Sequence, residues 1–154
     1  MATRTEPAAA KDLYDEDFYV WTEHQSDLLR ARRFDELDLE DLIEEVEASG
    51  RAERSRVLGS AGVVIEHLLK LQFSPATDPR AGWIATVSEH RRRLVFDLTP
   101  RIRKILRDEL PQLYALVRRD TDRVLRAHGE HAAADALPAA RPYTPDEITG
   151  DWWP

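Results

Sequence analysis

Apolar residues recur at helical spacing in every long segment of this chain, and this pattern constrains the fold more than any other feature. Residues at i, i+3, i+4 and i+7 share one face of an α-helix. Between residues 15 and 32 the pattern is carried by Phe18, Trp21, Gln25, Leu28 and Leu29. No stretch alternates apolar and polar residues with a period of two, so no sheet is expected. The sequence predicts an all-α, single-domain helical bundle of about four to six helices.

The stretch DELDLEDLIEEVE, from Asp35 to Glu47, contains only acidic and aliphatic residues. Its aliphatic positions follow helical spacing, so they are predicted to face the core: Leu39, Leu42, Ile43 and Val46. The carboxylates on the opposite side then face water or a partner. The candidate acidic interaction residues are Glu40, Asp41, Glu44 and Glu45.

Glycine and proline residues divide the rest of the chain into further helices. Gly50 either caps the acidic helix or is absorbed as a kink. Asp78-Pro79 and Thr99-Pro100 are typical of an N-cap followed by a proline in the first turn. Pro111 is predicted to break or restart the last long helix, which ends near His128.

The ends of the chain differ from its middle. Residues 1–12 are predicted to be a flexible N-terminus, residues 13–128 the bundle, and residues 129–154 a C-terminal strap that packs on the bundle. Thr144 and Glu147 have the spacing of a capping box, which starts a short helix. Trp152 and Trp153 need burial or a partner, and a strap over the bundle is favoured over a protruding binding motif.

Charge is distributed unevenly along the chain. Counted from the sequence, residues 1–50 carry a formal charge of −10, residues 51–90 carry +1, residues 91–126 carry +6 and residues 127–154 carry −4, which sum to −7. Opposed segments can neutralise each other within one copy or between copies. The candidate basic interaction residues are Arg118, Arg119 and Arg123.

Composition narrows the chemistry and the compartment. The chain has no cysteine, which excludes a disulfide framework, a zinc-thiolate site and a cysteine nucleophile. The first residues lack the apolar core of a signal peptide, and no window approaches the roughly 18 apolar residues of a membrane span. A cytoplasmic protein without membrane attachment or cofactor is therefore expected.

Several ordered motifs resemble one known family. They are DFYVW (residues 17–21), LDLEDLIEEVEASGR (37–51), HLLKLQF (67–73), Trp83 with EHR (89–91), and PYT (142–144). The set resembles the bacterial family called domain of unknown function twenty-nine, from about Leu13 to Pro154. The resemblance implies an all-helical single domain and no established activity. The family more often has glutamine where this chain has His90, and it supplies no catalytic residues.

Three functions fit these features. The preferred prediction is a non-catalytic interaction module that binds protein partners through charged helix faces, with self-association as an option. The first alternative is a metal-dependent hydrolase with a site between helices, whose candidate ligands are His24, His67 and His90. The second is a regulator that binds nucleic acid through arginines such as Arg91, Arg92 and Arg93, or that mimics nucleic acid through its acidic helix.

Overall fold

The computed structural model describes residues 10–154, with side chains from residue 13 onward. The described part of the chain is helical and contains no strand, which confirms the predicted all-α fold. Residues 1–9 of the predicted flexible N-terminus lie outside the described residues. The helices are α1 (Ala10–Glu16), α2 (Phe18–Arg30), α3 (Leu39–Phe73), α4 (Arg80–Asp97), α5 (Pro100–Ala127), α6 (His131–Asp135) and α7 (Pro145–Thr149), with a 3₁₀ turn at Phe34–Glu36.

The chain divides into two compact units, and α3 contributes its first part to one and its remainder to the other. The first unit ends at Ala52, and the second runs from Glu53 to Pro154. Helix α3 has 35 residues and continues without a break past Gly50, so Gly50 does not cap it.

Local hydrogen bonds set both ends of α2 in the first unit. The Asp17 side chain accepts a hydrogen bond from the Val20 amide and caps the helix. At the other end Arg32 adopts a left-handed backbone conformation with φ of 55°. The amides of Arg32 and Arg33 donate to the carbonyls of Leu29 and Leu28, which is the Schellman arrangement. The chain therefore turns sharply toward α3.

Trp21 is the main buried side chain of the first unit. Its ring lies within 5.0 Å of the Tyr14 ring and 5.7 Å of the Phe18 ring, measured between centroids. Its indole N–H donates to Asp38 at 3.3 Å, and Gln25 accepts a hydrogen bond from the Asp38 amide at 3.0 Å. Together these contacts attach α2 to the start of α3.

The second unit has a continuous apolar core between the later part of α3, α4 and α5. Helices α6 and α7 cover it, with α6 against α5 and α7 against α4 and α5. Gly62 faces α5, where a Cβ atom would meet Leu113 and Val117 at 3.5 Å. The innermost residues are Ala61, Val64, Leu68, Leu69, Val87, Leu94 and Ile148.

Three predicted helix boundaries are confirmed, including the end of α5 at Ala127 with His128 as its C-cap, and two predictions are wrong. Thr99 accepts a hydrogen bond from the Ile102 amide, and Thr144 forms the predicted capping box with Glu147. Helix α4 instead has Pro79 at its N-cap, with no side-chain cap.

Pro111 lies inside an unbroken α5. The lost hydrogen bond at Pro111 is tolerated because Leu110 and Tyr114, on either side of it, are both buried and hold the helix against the core.

Candidate interaction surface

The start of α3 presents aliphatic side chains to solvent. Leu39, Ile43 and Val46 are 56%, 57% and 67% exposed, so the prediction that they face the core is wrong. Helix α2 faces a different side of α3, across a groove that Leu42 and Glu45 help to line. We call the exposed face the acidic-apolar stripe, which consists of Leu39, Ile43 and Val46 with the adjacent Glu40, Glu44 and Glu47.

The three aliphatic residues of the stripe have the spacing of a helix contact face. Ile43 follows Leu39 by four residues, and Val46 follows Ile43 by three, so the three side chains lie on one side of α3. Each of them is more than half exposed. The first unit therefore leaves a helix face of core-type composition uncovered.

Other apolar side chains of the first unit are also exposed. They are Phe18, Tyr19, Val20, Leu29 and Phe34. Single exposed apolar residues are ordinary, but several within one small unit are typical of a contact surface. A groove of about 290 Å³ lies beside Phe18 and Leu29 in this unit. Gln25 lines it, and the Gln25 side-chain nitrogen has no hydrogen-bond partner among the described residues.

The four predicted acidic residues have different environments. Glu40 and Asp41 lie in the first turn of α3, where the helix dipole favours negative charge. Glu44 is exposed. Glu45 accepts a hydrogen bond from the Tyr14 hydroxyl at 2.7 Å. This bond to the Glu45 carboxylate raises the pKa of Tyr14 to about 12. Glu45 therefore helps to join α1 to α3, and Glu44 lies on the open surface.

The three predicted basic residues also separate into two groups. Arg118 donates to the carbonyl oxygens of Leu137 and Pro138 at 2.9 to 3.3 Å, so it holds the segment after α6 against α5. Arg119 and Arg123 are exposed and lie within 3.5 Å of Asp120. Exposed pairs of this kind contribute little to stability. Arg119 and Arg123 therefore remain accessible.

The histidines proposed as metal ligands lie in unlike surroundings. His24 is exposed on α2. The Nδ1 atom of His67 is 2.9 Å from the Val63 carbonyl oxygen. His90 is half-buried, and burial lowers its pKa below the usual 6.5. Among the side chains of residues 13–154, no group of three or more histidines and carboxylates is arranged to hold a metal ion.

Arg91, which the nucleic-acid alternative included among its phosphate-binding arginines, is buried. It is 6% exposed and donates to the backbone carbonyls of Glu147, Ile148 and Trp152 at 2.6 to 3.1 Å. Its guanidinium also lies 4.9 Å from the centre of the Trp153 ring. Arg91 therefore attaches the C-terminal segment to α4. Arg91 follows Val87 by four residues and precedes Leu94 by three, so helical spacing places it on the same face as these two core residues. This spacing indicates its burial.

A second exposed apolar surface lies at the end of α4. Phe96 is 88% exposed and Val95 is 66% exposed. Arg92 lies three residues before Val95 and four residues before Phe96, so it is beside both on the helix surface. We call Arg92, Val95 and Phe96 the Phe96 patch. Sequence reasoning did not identify it.

Over its described residues the protein is therefore all-helical and has two exposed apolar surfaces. Acidic residues accompany the acidic-apolar stripe, and a basic residue accompanies the Phe96 patch. The family described as domain of unknown function DUF29 matches residues 13–153, and the chain therefore belongs to that family. Neither the search of curated proteins nor the search of solved structures found a match. None of the helices in residues 10–154 is both long enough and apolar enough to cross a membrane.

Proposed function

We propose that this protein is an interaction module that binds a partner protein through the acidic-apolar stripe. The spacing and the exposure of Leu39, Ile43 and Val46 carry the proposal, because together they form a core-type helix face that the first unit leaves uncovered. The partner element that fits such a face is an amphipathic helix, since helices recognise each other through apolar residues spaced by three and four. No catalytic residue is assigned.

Charge defines the chemistry of that partner. Residues 39–47 contain five acids and no base: Glu40, Asp41, Glu44, Glu45 and Glu47. A partner helix with arginine or lysine beside its apolar residues would be attracted to this surface, whereas an acidic helix would be repelled. Complete burial of an aliphatic side chain is worth about 1.5–3 kcal/mol. The stripe residues are already partly buried, so the gain for each is roughly half of that.

Synthetic helices test this proposal directly. A peptide of about four helical turns, with leucines on one face and flanking arginines, is expected to bind the full-length protein. The same peptide with flanking glutamates is expected to bind at least about tenfold more weakly, which corresponds to about 1.4 kcal/mol. Fluorescence anisotropy of labelled peptides measures both affinities.

Variants identify the surface that is bound. Ile43→Ser with Val46→Ser is expected to weaken binding of the basic peptide by about tenfold or more, because two exposed contact residues are lost. Ile84→Ser is the matched control, since Ile84 is also exposed but lies on α4. Equal binding of both peptides, or equal loss in the two variants, would refute the stripe as the docking site.

A further inference from the structure

The Phe96 patch has the composition that the stripe requires of its partner. Residues 92–107 contain six bases and one acid, Asp97. Asp97 is already paired with Arg56 at 2.5 Å. Arg93 and Lys104 are paired with Glu89 and Asp108, whereas no ion pair joins Arg92, Arg101, Arg103 or Arg107 to another described residue. Arg92 lies beside the exposed Val95 and Phe96, so basic and apolar side chains are adjacent on one helix end.

The stripe is poorly suited to contact its own equivalent in a second copy. A symmetric contact between two stripes would place Glu40, Glu44 and Glu47 against the same three carboxylates of the other copy. Like charges in a contact disfavour association. A contact between the stripe and the Phe96 patch would instead be favourable. Each surface supplies exposed aliphatic or aromatic groups, and the charges of the two surfaces are opposite.

We propose that the partner of the stripe is a second copy of this chain, which docks through its Phe96 patch. This inference rests on the proposed function and specifies the partner of that same surface. Each copy carries one stripe and one patch, so the contact joins the stripe of one copy to the patch of another. Each contact involves few residues, and the association therefore belongs to the weak class of protein interfaces.

Sedimentation of the full-length protein tests for this association. The weight-average mass is expected to rise between about 1 µM and about 500 µM at low salt, the range in which weak complexes form. At about 1 M salt the electrostatic screening length falls to about 3 Å. The attraction between the charged surfaces weakens, so the weight-average mass should rise less with protein concentration. A mass that stays at 17.7 kDa over the whole concentration range would overturn the proposal.

Mixing two variants provides the more specific test. One variant carries Ile43→Ser and Val46→Ser in the stripe, and the other carries Arg92→Ser and Phe96→Ser in the patch. All four residues are exposed, so both variants are expected to fold, which circular dichroism can verify. Each variant alone should remain monomeric. An equimolar mixture should associate again, because one variant keeps an intact patch and the other an intact stripe.

A control and a separate readout make the outcome decisive. Leu116→Ser, at an exposed position on α5, should associate as the unmodified chain does. Self-association that persists in either variant alone, or a mixture that stays monomeric, would overturn the proposal. If copies do not associate but the stripe still binds the basic peptide, the interaction module stands and its partner is another protein.

Discussion

Arg91→Ala is expected to lower the free energy of unfolding by about 3 kcal/mol or more. The guanidinium donates to three backbone carbonyls of the C-terminal segment, and hydrogen bonds from a charged donor are worth about 1.5–3 kcal/mol each. The variant also loses the contact with Trp153. Urea denaturation measures the loss of stability, and faster proteolysis near Gly150 measures release of the segment.

Arg92→Ala is the matched control, because Arg92 is the next residue on the same helix and is exposed. It is expected to change stability by no more than about 0.5 kcal/mol. Arg91→Lys should recover only part of the loss, since lysine cannot reproduce the planar fork that reaches several carbonyls. If Arg91→Ala and Arg92→Ala were equally stable, Arg91 would not hold the C-terminal segment.

Trp21→Ala is expected to cost about 3 kcal/mol and to loosen the first unit. Trp21 is 1% exposed, contacts two aromatic rings and donates to Asp38. Its loss leaves a cavity and removes the hydrogen bond that attaches α2 to the start of α3. Hydrogen exchange should accelerate most between residues 18 and 38, because local opening follows the loss of buried contacts.

Tyr19→Ala serves as the control for Trp21→Ala, because Tyr19 is an aromatic residue of the same helix that is exposed. Its exchange pattern should match that of the unmodified chain. Acceleration spread evenly over both units in Trp21→Ala, rather than concentrated in the first, would show that Trp21 does not act locally.

Helical periodicity was sufficient to predict the fold class and much of the second-unit core. Val64, Leu68 and Leu69 lie in a segment that is apolar around more than half its circumference, so any docked helix must bury them. The caps at Thr99 and Thr144 were predictable because their hydrogen bonds are local. Pro111 was misjudged because tertiary packing on both sides of it outweighs the local cost.

The acidic-apolar stripe shows why the candidate site was harder to predict. Ile43 and Val46 have the spacing of core residues, and the pattern alone cannot show whether a neighbouring helix covers them. In the structure α2 faces the side of α3 that carries Leu42, across a groove lined by residues of both helices. The spacing of Arg91 indicates its burial, but its partners could not be predicted, since they are backbone carbonyls more than 50 residues away.

Cysteine labelling at Ile43 tests the central claim most directly, because the chain has no cysteine of its own. In Ile43→Cys the thiol should be alkylated nearly as fast as a free thiol in dilute protein. Saturating basic peptide should slow the reaction, whereas it should leave Ile84→Cys unaffected. Slow labelling of Ile43→Cys without peptide, or labelling that peptide does not change, would contradict a bare helix face that binds a partner.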